Sequence, residues 1–153
     1  MDIKNLKPNF KSKFKQGYFD RFNPKKYFGK TPIIYRSSWE LSFMFKMEAN
    51  SLVERWTSED LIIPYTMKEK KNGKFVLTRH NYHTDFTVIM RDKRTIIVEI
   101  KPLNQSPLNE SQIHLNPVIY KNACKWRAAI EYCKAHDFIF KVINENHLKT
   151  KIF

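Results

Sequence analysis

Cysteine and glycine are scarce in this chain of 153 residues, with two of the first and three of the second. Cys124 and Cys133 fall nine residues apart inside one predicted helix. That spacing separates them by ~13 Å of axial rise, too far for a disulfide. No Cys-x-x-Cys pair is present, so zinc has no support and both cysteines read as core thiols. Three glycines leave no Gly-rich loop to cradle a phosphate, and no Gly-x-Ser-x-Gly elbow occurs. No apolar run approaches the ~20 residues of a membrane span. Met1, Asp2, Ile3 and Lys4 do not begin an apolar secretory leader. The expectation is a soluble protein kept in a cytosol, away from membranes. No internal repeat is visible.

Acidic residues are few as well: 15 Asp and Glu stand against 28 Lys and Arg, a net charge of +13. Residues 1–36 hold ten basic and two acidic side chains, so the excess is steepest at the start. A polyanion partner is the natural inference, because each neutralised phosphate releases counterions. An acidic protein partner, or a merely basic surface, would also account for the charge. An apolar fraction of 42% and an aromatic fraction of 14% suit one globular core. In residues 1–30 lysines alternate with Phe10, Phe14, Tyr18, Phe19, Phe22, Tyr27 and Phe28, punctuated by Pro8, Pro24 and Gly29. We read this stretch as a basic arm that packs its rings on the domain and offers lysines such as Lys11, Lys13 and Lys15 outward. Residues 31–153 then form the domain.

Ser37 or Ser38 caps a predicted helix whose inward stripe is Glu40, Phe43, Met44 and Met47. Leu52–Trp56 and Leu61–Tyr65 read as short strands, and Lys71-Asn72-Gly73-Lys74 as a turn before an extended Phe75–Arg79. Tyr82–Met90 and Thr95–Lys101 are the clearest strand pair, joined at Arg91-Asp92-Lys93. Residues 102–117 resemble a loop. An amphipathic helix follows over about Val118–His136, with the stripe Ile119, Ala123, Trp126, Ile130, Cys133, and then a strand, Phe138–Ile143. The class is mixed α/β.

Alternation along the strand pair carries the chemistry. With Phe86, Val88 and Met90 facing Ile96, Val98 and Ile100, the opposite face gathers Asp85, Glu99 and Lys101. A three-residue loop at 91–93 sets Asp85 directly opposite Glu99. Two carboxylates so placed are costly without a cation between them, and hard oxygen ligands favour Mg²⁺ or Mn²⁺. Protonated Lys101 cannot ligate the ion, but it can orient a water and neutralise charge on a phosphate. A cross-strand surface salt bridge is the plain alternative. Against it, Glu99 interrupts the apolar run Ile96-Ile97-Val98-Glu99-Ile100, typical of a buried strand. Glu40 fits two roles equally: the capping box Ser37-x-x-Glu40, and a third carboxylate facing inward. His80, His83 and His114 lack the spacing of a zinc site, although His83 lies near Asp85.

Thr84-Asp85, a gap of thirteen residues, and Glu99-Ile100-Lys101 resemble the PD-(D/E)xK signature of restriction-endonuclease-like nucleases, with Thr84 at the usual proline. The blocks Ile34-Tyr35-Arg36-Ser37-Ser38-Trp39-Glu40-Leu41, Trp56-x-x-Glu59 with Ile63-Pro64-Tyr65, Val98-Glu99-Ile100-Lys101-Pro102 and Asn122-x-x-Lys125-Trp126-x-Ala128-Ala129 are similar to head completion nucleases of T-even-like tailed phages. A more distant likeness is to the transposon-end nuclease TnsA. The resemblance implies a mixed β-sheet flanked by helices and metal-dependent phosphodiester hydrolysis on double-stranded DNA. It implies Asp85, Glu99 and the Ile100 carbonyl as metal ligands, Lys101 serving the attacking water, and Glu40 ligating or orienting a second metal or water. It also implies a late virion protein, present in the host cytoplasm during assembly, that acts on packaged DNA ends or at the capsid vertex beside portal or tail-connector proteins. Arg36 and the arm lysines would grip phosphates, with Lys125 a further candidate on the long helix. Two other readings are a DNA-end-binding or capsid-plug protein on an idle nuclease fold, which leaves the buried charges unexplained, and a basic RNA binder, which leaves the carboxylates unexplained.

Overall fold

The computed structural model describes residues 15–106, 116–150 and 152–153; Lys11, Lys13 and His114 lie outside them. Its centre is a mixed four-stranded sheet in the order β3 (Val53–Ser58), β6 (Phe86–Met90), β7 (Thr95–Ile100), β8 (Ile139–Ile143). The first three strands pair antiparallel and β8 runs parallel to β7, which requires a crossover between them. That crossover includes α2 (Pro117–His136). Asn116 caps it by accepting from the Val118 and Ile119 N–H groups, and Asp137 ends it in the left-handed region at φ 57°.

One face of the sheet packs on α1 (Ser38–Ala49), whose Phe43, Met44 and Met47 are buried as the stripe predicts. They meet Phe86, Val88, Met90, Ile96 and Val98, with the Phe43 and Phe86 ring centroids 4.5 Å apart. Phe19 joins this core, lying 5.7 Å from Trp56 in an edge-on contact. Its segment is tied down through β1 (Gly17–Tyr18) on β2 (Ile34–Tyr35). The Glu48 carboxylate adds a second tie, accepting from the Lys25 and Lys26 N–H groups and from Trp56 Nε1, each at 3.1 Å. Phe22 and Phe28 remain largely exposed.

A second apolar cluster (Ile63, Tyr65, Tyr82, Ala129) lies beneath α2. It involves the largest departure from the sequence reading. Leu61–Tyr65 and Phe75–Arg79 belong to a much longer ribbon, β4 (Ile62–Lys71) on β5 (Lys74–His83), in unbroken register from Ile62↔His83 to Lys71↔Lys74. Tyr82 and His83 therefore end β5 instead of opening β6, and the chain bends at Thr84–Asp85. Thr84 secures the bend by donating its N–H and its hydroxyl to the Leu61 carbonyl, both at 3.1 Å. The buried line of α2 also differs: Ile119, Asn122, Ala129 and Cys133 face inward while Ile130 is 46% exposed. The helix rests across the base of the ribbon as well as on β8, which turns Ile130 out. Pro117 starts it one residue early, and α3 (Glu145–Leu148) supplies the terminal turn.

Candidate active site

The loop at 91–93 has three residues, with Lys93 at φ 75° and the Met90 N–H donating to the Arg94 carbonyl at 2.9 Å. It sets the register Phe86↔Val98, and one further step toward the bend brings Asp85 opposite Glu99. Asp85 is anchored: its Oδ2 accepts from the Ile100 N–H at 2.7 Å, and its carbonyl accepts from the Glu59 N–H at 2.9 Å. Glu99 is 3% exposed, accepts from the Tyr82 hydroxyl at 2.6 Å through Oε2, and lies 3.6 Å from Lys101 Nζ through Oε1.

The two carboxyl groups face each other across the strand pair, one step beyond Phe86↔Val98. Burial first, then the charges of Glu99 and Glu40, hold the Asp85 carboxyl well above the usual carboxylate range. A half-buried carboxyl facing a buried one favours a proton or a cation between them, because like charges repel and burial removes much of the water that would screen them. Tyr82 stays a donor, because burial, then Glu99 and Asp85, push its phenol upward.

Glu40 stands at the third position of α1. Ser37 Oγ accepts the Glu40 N–H at 3.1 Å, and Glu40 Oε2 accepts the Arg36 N–H at 2.7 Å. The box is thus closed one residue upstream of the usual amide. Glu40 thus closes the start of its helix, and its charge adds to the upward shift of Asp85. Arg36 is paired through Nε with Glu59 Oε1 at 3.1 Å, and Glu59 is held at φ 55°. Arg36, Glu40 and Ile100 border a hollow of about 510 Å³ on this side.

Lys125 stands on the other side, with its Nζ 5.4 Å above the centre of the Tyr82 ring. Burial lowers its pKa; Glu99 opposes that shift, and Lys101 and Lys121 add to it. Asn122, buried one turn earlier, donates its side-chain amide to the Gln105 carbonyl at 2.9 Å. Its role is to tie the loop after β7 to α2.

Asp85, Glu99 and Lys101 therefore meet, with Glu40 and Ile100 at their border, Arg36 nearby on Glu59, and exposed Lys15 ahead of β1. Tyr82 and Glu59 are the contributors that residue reading missed. A strand running unbroken through 82–90 would put Tyr82 on the Phe86 face, and only the bend delivers it to Glu99. Among the described residues no three His, Cys, Asp or Glu side chains form a ready metal cage. His80 stacks on Tyr65 and bonds Thr78 Oγ1 at 2.8 Å, while His83 ends β5 partly exposed. Cys124 and Cys133 are free, the first half-buried and the second buried. No described helix is long and apolar enough to cross a membrane.

The family model described as TnsA-like endonuclease N terminal matches residues 50–145. Asp85, Glu99 and Lys101 fall inside that span, and Glu40 and Arg36 outside it. The chain is also 26% identical over 141 residues to the head completion nuclease of Enterobacteria phage T4, covering 85% of this chain and 86% of that protein. A mixed sheet between helices, with these matches, establishes that the chain belongs to the TnsA-like N-terminal endonuclease family and is a restriction-endonuclease-like nuclease.

Proposed function

We propose that the chain is a divalent-metal-dependent DNA endonuclease that hydrolyses phosphodiester bonds in phage head completion, on packaged DNA ends or at the capsid vertex. One observation carries the chemical part: Asp85, pinned by the Ile100 N–H at 2.7 Å, faces Glu99 across the strand pair, with Lys101 Nζ 3.6 Å from Glu99. The phage part rests on the similarity to the T4 nuclease, whose name states its role. On this reading the protein works in the infected cytoplasm and the virion, beside portal or tail-connector proteins, and residues 1–30 act as its basic arm.

The carboxyl pair fits a hard divalent cation better than zinc, since its donors are oxygens and no described cysteine or histidine joins them. Asp85, Glu99 and the Ile100 carbonyl would hold Mg²⁺ or Mn²⁺, with Glu40 completing the set directly or through water. Such an ion polarises a phosphoryl oxygen and acidifies a water. The chain's own groups do the rest. Tyr82 fixes the rotamer of Glu99 by donating to Oε2. Lys101, beside Glu99, orients the attacking water and offsets charge gathering on the phosphate. Asp85 is pinned in place by the Ile100 amide through Oδ2.

The test is nicking of supercoiled plasmid with Mg²⁺, with Mn²⁺ and with EDTA. Wild type cuts only with metal, and Asp85→Asn and Lys101→Gln each lose about 10²–10³-fold in rate while remaining folded and still binding duplex. Cleavage that continues in EDTA, or survives both substitutions, overturns the assignment. Binding without any cutting returns the idle-fold reading.

A further inference from the structure

A second hollow, of about 650 Å³, opens between the β4–β5 ribbon and α2 and is bordered by Tyr65, Arg79, His80, Asn81, Lys121 and Lys125. Arg79, Lys121 and Lys125 line it, and among the described residues no carboxylate does. Glu69, the acid nearest on the ribbon, is engaged by Thr78 and His80. We propose that this hollow is a DNA-backbone track, in which Arg79, Lys121 and Lys125 take neighbouring phosphates of the strand delivered to Asp85 and Glu99. The proposal rests on the nuclease reading above and adds to it the path of the substrate.

Spacing and connection both support the track. Lys121 and Lys125 are one helical turn apart on the same face, an axial step of about 6 Å. One strand of B-DNA presents a phosphate every ~3.4 Å of axis, so the pair matches about two phosphates. Arg79 reaches the same hollow from β5, opposite Thr66, so cations close it from two elements. Lys125 joins the track to the chemistry, since it covers the Tyr82 ring and Tyr82 donates to Glu99. Duplex DNA is favoured over duplex RNA by shape. A two-stranded ribbon enters a B-form major groove ~12 Å wide, whereas the A-form major groove is too narrow to be read by side chains.

The measurement is binding of the full-length protein to a fluorescent duplex of about 20 base pairs. It is made in EDTA, from about 50 to about 200 mM salt, by anisotropy. Arg79→Gln with Lys121→Gln is compared with a control pair that removes equal charge elsewhere, Lys93→Gln with Lys134→Gln. Lys134 lies nine residues beyond Lys125, on the opposite side of α2. The track pair should lower the slope of log affinity against log salt by about 2 and weaken binding about tenfold or more at low salt. In cleavage with metal it should raise KM more than it lowers kcat. The control pair should leave the slope near wild type. An unchanged slope in the track pair, or an equal fall in the control pair, overturns the proposal in favour of diffuse attraction. Equal binding of an RNA duplex, with the same loss of slope, overturns the assignment to DNA. The binding arm is independent of cutting: a wild type that binds through the track but never cuts sinks the nuclease reading alone.

Discussion

Two antiparallel hairpins follow each other along this chain and lead opposite lives. The ribbon β4–β5 turns on Asn72 and Gly73, at φ 52° and 76°, the positive pair of a type I′ turn. It carries Phe75 and Leu77 at 67% and 76% exposure near its end. The hairpin β6–β7 turns on three residues and is enclosed by helices and neighbouring strands, with Phe86, Val88 and Val98 at 1% exposure or less. The carboxylates sit on the enclosed hairpin, and Arg79 on the open one. Polarising a phosphodiester benefits from a site stripped of water, whereas gripping a backbone needs cations that the duplex can reach. On the proposed reading the fold divides these tasks between two hairpins and joins them at the Thr84–Asp85 bend.

The contrast is tested most strongly by truncation. Phe86→Ala should cost about 3–5 kcal/mol, a fall in Tm on the order of 10 °C by calorimetry, whereas Leu77→Ala should stay within about 0.5 kcal/mol. Similar losses at the two positions would mean that the ribbon is covered after all. A smaller effect concerns the buried charges. Saturating Mg²⁺ or Mn²⁺, at about a hundred times Kd, should stabilise wild type by about 2–3 kcal/mol. Asp85→Asn should melt a few degrees higher than metal-free wild type, because the like charges facing Glu99 and Glu40 are gone, and should lose the response to metal. A variant that still gains stability from metal would remove Asp85 from the ligand set. Smallest of the three, Gly73→Ala places a Cβ at φ 76° with no atom within 4 Å, so its cost is purely backbone, about 1 kcal/mol. Thermal melts of that variant should be lower by a few degrees with metal-dependent nicking retained, and a loss of nicking would show that the turn itself reaches the DNA.

The stripe of α1, the three-residue loop, the facing of Phe86 against Val98 and the meeting of Asp85 with Glu99 were legible because each follows from a short-range period. Strand alternation and helical repeat are local, and burying one face of a strand determines what the other face presents. The extent of the ribbon was less legible. Lys68, Lys70, Lys71 and Lys74 make its outer half look like a loop, and its pairing depends on an Asn-Gly turn more than on burial. Ile130 misled for a related reason: the period of α2 was correct, but the helix leans on the ribbon base, which periodicity does not reveal.

By itself, the sequence determined a mixed α/β chain with a strongly basic balance and a carboxylate pair on the polar face of a buried hairpin, because backbone geometry converts residue order into facing. Only the tertiary structure decided that Tyr82 would serve Glu99, that Glu40 would cap its helix while its charge reached Asp85, and that Arg79 would share a hollow with Lys121 and Lys125. Those meetings depend on a bend and on how a helix lies across a ribbon, and such packing arises from many distant contacts at once.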